Sequence, residues 1–528
     1  MKKKYKNILL SILSGFLFTI GWPTYGIPFF LFFAFVPLLF IEEDYLLKRN
    51  KKHFFLYIYL AFFLWNFFKT WWIAKASLVG GVFAVVVNSL LMTLVFWIFH
   101  FVRKRLPDQM ALPFFVFVWI AFEKFHLNWD FSWPWLHLGN GFSEYPQWIQ
   151  WYEYTGYFGG SLWILLVNIM IYKTISNHLK NKNFLQTGKL LIKSTLLILI
   201  PLIISYYINK NYIEKGTAYN VLIAQPNFDP WEEKFMYSNL QLAQDLLSLA
   251  KNKKADLLVA PETALSQYTE IETFSLTKPY QLLSEYASSN HINILTGVDF
   301  IHWYEKTDTL IPVTANKTKN GRSYNMYNSA VFITPEHNYQ IYHKSKLVVG
   351  AEYTPFSNIL IPLIGDWVIK TIGISLGSNI SQEDVSVFEN KKLKVAPIIC
   401  YESVYGEYVT KYVRKGANLL AVITNDGWWG NTEGHRQHIS IARIRSIENR
   451  RDLVQSANTG ISAHINQKGE ILDSLSYEKR GALQVKVLLN NQTSFYTKHG
   501  DYIARVSIFM AILLFIYAIS QRKKFLNN

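Results

Sequence analysis

The sequence predicts two architectures in one chain: a membrane α-helical bundle of eight transmembrane helices, and an α/β domain inserted before the last of them. Three observations predict this. Apolar runs crowd the first two fifths and the last stretch of the 528 residues. Between about 218 and 488, short apolar runs that end in polar turns alternate with amphipathic stretches. The lysines and arginines are scattered between the long apolar runs instead of gathering on one segment.

The long runs lie at about 8–22, 26–41, 54–68, 79–102, 111–123, 159–177, 190–209 and 506–520. Several are shorter than the roughly 20 residues that cross a bilayer, and polar or aromatic flanks are expected to extend them. Basic residues fall in every second connection: Lys2 to Lys6, then Lys48 to Lys52, Arg103 to Arg105, Lys180 to Lys189, and Arg522 to Lys524. That alternation places both termini in the cytoplasm and the segment between the seventh and eighth spans outside. The formal net charge of +16 admits nucleic acid or membrane as partner. Its dispersal between apolar spans excludes a nucleic-acid surface. The first run is read as an uncleaved anchor, because "FTIGWPTYG" lacks small residues for a signal cleavage site. Residues 126–158 are dense in Trp and Tyr, which fits an interfacial aromatic belt or a surface that grips lipid.

In the α/β region the strand-like runs include YNVLIAQPN, ADLLVAPE, INILTGVDF, KVAPIICYE, NLLAVITND and LVQSAN. Helices are expected at EEKFMYSNLQLAQDLLSLAKNK and HRQHISIARIRSIENRR. Alternation of this kind describes a sheet covered by helices, with reactive groups beyond the strand ends.

Cys400, the single cysteine, follows the strand-like VAPII directly, so no internal disulfide exists and the thiol sits at a strand exit. A nucleophilic thiol needs a neighbour that takes its proton. Glu262 repeats the layout in "DLLVAPET", and a partly apolar pocket is expected to raise its pKa toward general-base duty. Lys344 in "QIYHKSKLVVGAE" lies in a segment without helical periodicity, where an ammonium near Cys400 would stabilise a thiolate and an oxyanion. Ser375 in "GISLG" matches a serine-hydrolase pattern but lacks the following helix. His435 and His438 in "HRQH" share a helix face with no third metal ligand nearby.

Glu in "APET", Lys in "YHK" and Cys in "IICYE", in that order, resemble the nitrilase, or carbon–nitrogen hydrolase, superfamily. Eight spans with that domain before the last are similar to its apolipoprotein N-acyltransferase family, as are "IAQPN", "DPWEEKF", "TNDGWWG", "GWPTYGIP" and "WPWLHLGN". The chain departs from the family at "KLVVGAE", where Lys346 stands in place of a histidine.

The resemblance implies an α-β-β-α sandwich at 213–490 as a periplasmic catalytic domain. A seven-helix bundle at 1–212 would precede it, and a last helix with a short cytoplasmic tail at 491–528 would follow. It implies a monomeric multi-pass protein of the bacterial inner membrane, needing no metal or redox cofactor. The implied reaction moves an sn-1 acyl chain from a phospholipid such as phosphatidylethanolamine, through a thioester on Cys400, to the amino group of a diacylglyceryl-cysteine lipoprotein. Glu262 would be the base and Lys344 the oxyanion partner; Glu352 and Glu402 would position, and Trp231 and Tyr401 would line the acyl pocket. The rival reading is a membrane-anchored amidase with the same three groups and water as acceptor.

Overall fold

The computed structural model describes residues 3–46, 53–305, 311, 315–318, 320–356 and 379–521. Ser375 and the basic residues at 2, 48–52 and 522–524 lie outside them. The chain divides into two compact units, one of Met1–Ala74, Gly81–Tyr212 and His499–Asn528, the other of Lys75–Gly80 and Ile213–Lys498.

In the first unit, each of the eight apolar runs is helical over most of its length. Among the described residues, four helices are long and apolar enough to cross a membrane: Leu78–Arg103, Tyr157–Asn181, Phe184–Asn211 and Tyr502–Ser520. Tyr5–Gly21 and Phe54–Thr70 are apolar but shorter, spanning about 25 Å each at 1.5 Å per residue. Phe184–Asn211 buries only two serines, and Leu191, Ile203 and Tyr207 stand out from it. So apolar a helix with so little protein cover fits a lipid surrounding better than water.

The second run is not one helix. Pro28 opens a 3-10 turn at Pro28–Phe33, and an α-helix resumes at Val36–Leu46. The Asn168 side chain accepts from the Phe35 amide and donates to the Leu31 carbonyl, both at 2.8 Å. The break is tolerated because protein groups replace the missing ladder bonds.

The aromatic stretch 126–158 corrects the reading of it as a gripping surface, since most of it packs inward. Trp135, Leu138 and Phe142 are buried in a series of 3-10 turns. Glu123 accepts from the Leu138 amide at 2.7 Å and the Ser161 hydroxyl at 2.6 Å, and Ser161 accepts from the Gly139 amide. A Cβ on Gly139 would meet the Tyr157 carbonyl at 1.9 Å, so only glycine lets the turn seat this closely.

The second unit is a two-sheet sandwich. One sheet runs β14 (Gly481–Leu489), β1 (Thr217–Gln225), β2 (Leu257–Val259), β4 (Asn293–Trp303), β6 (Ser323–Ile333) and β5 (Asn316–Lys317), with β3 (Leu265–Glu270) on β4 and β7 (Tyr339–His343) on β6. The other runs β13 (Ile471–Leu475), β12 (Ser462–Ile465), β11 (Leu453–Ala457), β10 (Leu419–Thr424), β9 (Leu393–Ile399) and β8 (Phe388–Asn390). β1, β2 and β4 are parallel, as are β9, β10 and β11, and the apolar runs within β1, β2, β9 and β10 reflect burial on both faces. Helices Asn239–Ala250 and Lys278–Asn290 cover the first sheet through Leu242, Leu246, Leu283 and Ala287. The Ser456 hydroxyl bonds the Ala224 carbonyl across the sandwich at 2.7 Å. The first of these helices is shorter than its amphipathic pattern suggests. Ser238 and Gln241 form a reciprocal capping box that starts it at Asn239, leaving 232–237 in turns.

Candidate active site

Three strands deliver the three expected side chains. β2 ends before Pro261–Glu262, β7 ends at His343 before Lys344, and β9 ends at Ile399 before Cys400. The Lys344 ammonium lies 3.0 Å from Glu262 Oε1 and 3.0 Å from Glu352 Oε1. Asn328, from β6, donates to the same two carboxylates at 2.7 and 2.9 Å. The other Glu262 oxygen accepts from the Asn425 amide at 3.1 Å. All three expected residues are buried, with Lys344 at 1%, Glu262 at 6% and Cys400 at 8% exposed.

Glu262 corrects the expectation of a raised pKa. Burial pushes it up, but Lys344, Asn328 and Lys234 together hold it below the ordinary carboxylate range. Burial works against charge on Lys344, and Glu262, Glu352 and Cys400 override it, so its pKa is raised. Burial and the Glu262 charge push the Cys400 thiol well up, only partly offset by Lys344. Both directions favour a thiol and a carboxylate over a thiolate and a carboxylic acid.

Both supporting glutamates are placed by hydrogen bonds. Glu352 takes the Val348 amide on Oε2 at 2.7 Å, so the departing "KLVVGAE" segment still anchors it. Lys346 lies 5.5 and 5.7 Å from the centres of the Tyr405 and Tyr408 rings. Glu402 is fully buried and accepts from the Ser345 amide at 2.7 Å, the Ile399 amide at 2.8 Å and the Tyr342 hydroxyl at 2.5 Å. It thus ties the exit of β9 to the residue after Lys344. Glu402→Ala is expected to lose about 3 kcal/mol of stability or more, since each stranded buried donor costs about 1–3 kcal/mol. Urea unfolding of the full chain in detergent measures this; an unchanged midpoint contradicts the role.

Tyr401 is buried, edge-on to Tyr405 at 5.3 Å. Trp231 is 58% exposed and meets Trp428 edge-to-face at 4.8 Å. Its loop also exposes Phe235 and Met236, while Lys234 turns inward to the Thr263 hydroxyl. Gly297 supports Glu262 from below. Its amide donates to the Pro261 carbonyl at 3.0 Å, and a Cβ there would meet Thr263 N at 2.3 Å and Glu262 C at 2.7 Å. Gly297→Ala is expected to displace the Glu262 turn, costing about 1–3 kcal/mol and slowing reaction at Cys400. Paired unfolding and rate measurements check it, and a variant with both values unchanged contradicts it.

Sequence reasoning missed Asn328, Lys234 and Asp426. The signal for Asn328 was the group of polar residues Asn325, Asn328 and Ser329 in the strand "NMYNSAVFI". His435 and His438 do not converge: His435 stacks on Tyr477, whereas His438 bonds Asp426.

The profile of the Carbon-nitrogen hydrolase family matches residues 224–495, the span that holds all of these groups. The chain belongs to the carbon–nitrogen hydrolase family. Residues 14–170 match the Apolipoprotein N-acyltransferase N-terminal domain. The apolipoprotein N-acyltransferase of Chlorobaculum tepidum is 28% identical over 98% of this chain and 97% of its own length. That of Geobacter metallireducens is 26% identical over 99% and 97%. The enzyme of the same name from Haemophilus influenzae is 27% identical over 89% and 86%. Saccharomyces cerevisiae Nit3, a member of branch 10 of the nitrilase superfamily, aligns with 51% of this chain and 90% of its own at 17% identity and a TM-score of 0.37.

Proposed function

We propose that this carbon–nitrogen hydrolase is an acyltransferase of lipoprotein biosynthesis that N-acylates the amino-terminal diacylglyceryl-cysteine of bacterial lipoproteins. One observation carries the reading. A buried carboxylate, ammonium and thiol gather at strand exits in a chain similar from end to end to apolipoprotein N-acyltransferases.

The reaction is ping-pong. Glu262 takes the Cys400 proton as sulfur attacks the sn-1 ester carbonyl of a phospholipid, of which phosphatidylethanolamine is the first candidate. Lys344 meets the oxyanion. The carbon–oxygen bond breaks, and Glu262 returns the proton to the leaving lysophospholipid. The lipoprotein's free amine then attacks the thioester, giving its proton to Glu262. The thiolate leaves and is reprotonated, and an amide has formed. Glu352 holds the ammonium, Glu402 the nucleophile's turn, Tyr401 borders the thiol, and the exposed Trp231, Phe235 and Met236 offer an apolar surface to acyl chains. The chain acts as a monomer with eight spans in the inner membrane, both termini cytoplasmic and residues 213–490 periplasmic.

The test supplies the full chain in mixed micelles with phosphatidylethanolamine and a synthetic diacylglyceryl-cysteine peptide. The expected result is peptide heavier by one acyl chain and an equal amount of lysophospholipid. Free fatty acid with unmodified peptide would instead support a hydrolase.

A further inference from the structure

Cys400 has a φ of +50°, in the left-handed region that residues bearing a Cβ rarely occupy. Such a conformation persists at a functional site only when its surroundings hold it. Two side chains grip its carbonyl. The Ser403 hydroxyl lies 2.8 Å from Cys400 O, and His438 Nε2 lies 3.2 Å from the same oxygen and 2.9 Å from Ser403 Oγ. On its other side, His438 Nδ1 lies 3.0 Å from Asp426 Oδ1, which also accepts the Thr424 hydroxyl at 2.7 Å. Ser403, Asp426 and His438 are completely buried.

The proton positions follow from what each partner can do. A carboxylate oxygen accepts only, so Nδ1 carries a hydrogen. Ser403 spends its one hydrogen on the carbonyl, so Nε2 donates as well. Burial works against the charge this implies, and the Asp426 carboxylate overrides it, so the ring's pKa is raised.

We propose that Asp426 and His438 form a positioning pair whose Nε2–H, with the Ser403 hydroxyl, clamps the Cys400 carbonyl and so holds the nucleophile in its left-handed conformation with sulfur turned to Glu262. This rests on the acyl-transfer reading above and adds residues to it. His438 reaches Cys400 at its carbonyl and acts through its backbone. Without the clamp, Cys400 relaxes toward ordinary backbone angles and sulfur moves off line, an error of the size that slows reaction about 100-fold.

The experiment measures the single-turnover rate at which full-length protein in micelles takes acyl from fluorescent phosphatidylethanolamine, over a range of lipid concentration. Wild type, His438→Ala, His438→Gln and Ser403→Ala are compared, with thermal unfolding of each. His438→Ala is expected to lose about 100-fold in maximal rate with the half-saturating lipid concentration unchanged. His438→Gln, whose amide reaches the same carbonyl, is expected to recover to within about 10-fold of wild type, and Ser403→Ala to lose about 10-fold. His438→Ala reacting at the wild-type rate, or His438→Gln as slow as His438→Ala, overturns the proposal. Should His438→Ala fail to fold, the other two decide it: both at the wild-type rate, or His438→Gln slowed 100-fold, overturns it. A wild type that takes no acyl overturns the acyl-transfer reading instead, whatever the variants do.

Discussion

Glu262→Gln is expected to lower the rate of acyl transfer to Cys400 by about 1,000-fold, within the range general-base removal gives. The amide is nearly isosteric, and its single oxygen can still accept from Asn328 on the side facing Lys344, while the Asn425 amide loses its acceptor and proton acceptance is lost. The structure makes this severe. Burial and the neighbouring carboxylate push the Cys400 thiol's pKa well up, so its proton must be taken by a base as sulfur attacks. Because Lys344 and Asn328 depress the Glu262 pKa, the wild-type rate stays level through neutral pH and falls only below the ordinary carboxyl range of about 4.3. Single-turnover rates in detergent between about pH 3 and pH 8 measure both features. A Glu262→Gln rate within 10-fold of wild type would remove Glu262 from the base's role.

Lys344→Ala is expected to have the largest combined effect on stability and rate. Removing the ammonium leaves Glu262 and Glu352, each 3.0 Å from it, without the charge they share, and with Asn328 still donating to both. Breaking a buried pair in this way costs about 3–5 kcal/mol, and loss of an oxyanion partner costs at least about 100-fold in rate. Adding Glu352→Gln to Lys344→Ala is expected to restore part of the stability, by relieving like-charge repulsion, and none of the rate.

The pH dependence of stability changes sign between the two proteins. In wild type the Glu262 pKa is below its unfolded value, so its contribution is complete above that value and is lost as pH falls through the folded one. In Lys344→Ala burial dominates and raises the pKa, so the variant gains stability on mild acidification where wild type does not. Urea midpoints at pH 7 and pH 5 report the difference. A Lys344→Ala protein as stable as wild type at pH 7 contradicts the ion-pair description.

The parts of the site legible in the sequence were those marked by position along one strand. Cys400 and Glu262 each follow an apolar run directly, and burial on both faces of a parallel strand makes such a run easy to read. Lys344 was legible because its segment lacks helical periodicity, which matches its place just past β7. Asn328 was not, because its value lies in reaching two carboxylates from different loops, a relation no local pattern contains. The two histidines of "HRQH" were read as neighbours on one face. The fold instead sends His438 to Asp426 and His435 to Tyr477, since residues three apart on a helix diverge once each packs against a different loop. In the other unit, apolar runs located the helices but not the break at Pro28–Phe33, which depends on an asparagine more than 130 residues away. The inward packing of the aromatic stretch was equally hidden, because it depends on Glu123 and Ser161 meeting its backbone.

In the proposed reaction the sulfur of Cys400 carries the acyl chain. The most direct measurement is the intact mass of the full-length protein after exposure to phosphatidylethanolamine without acceptor. One added acyl chain is expected, released by neutral hydroxylamine and absent in Cys400→Ala. Wild-type protein with no added mass, or an adduct that survives in Cys400→Ala, would contradict it.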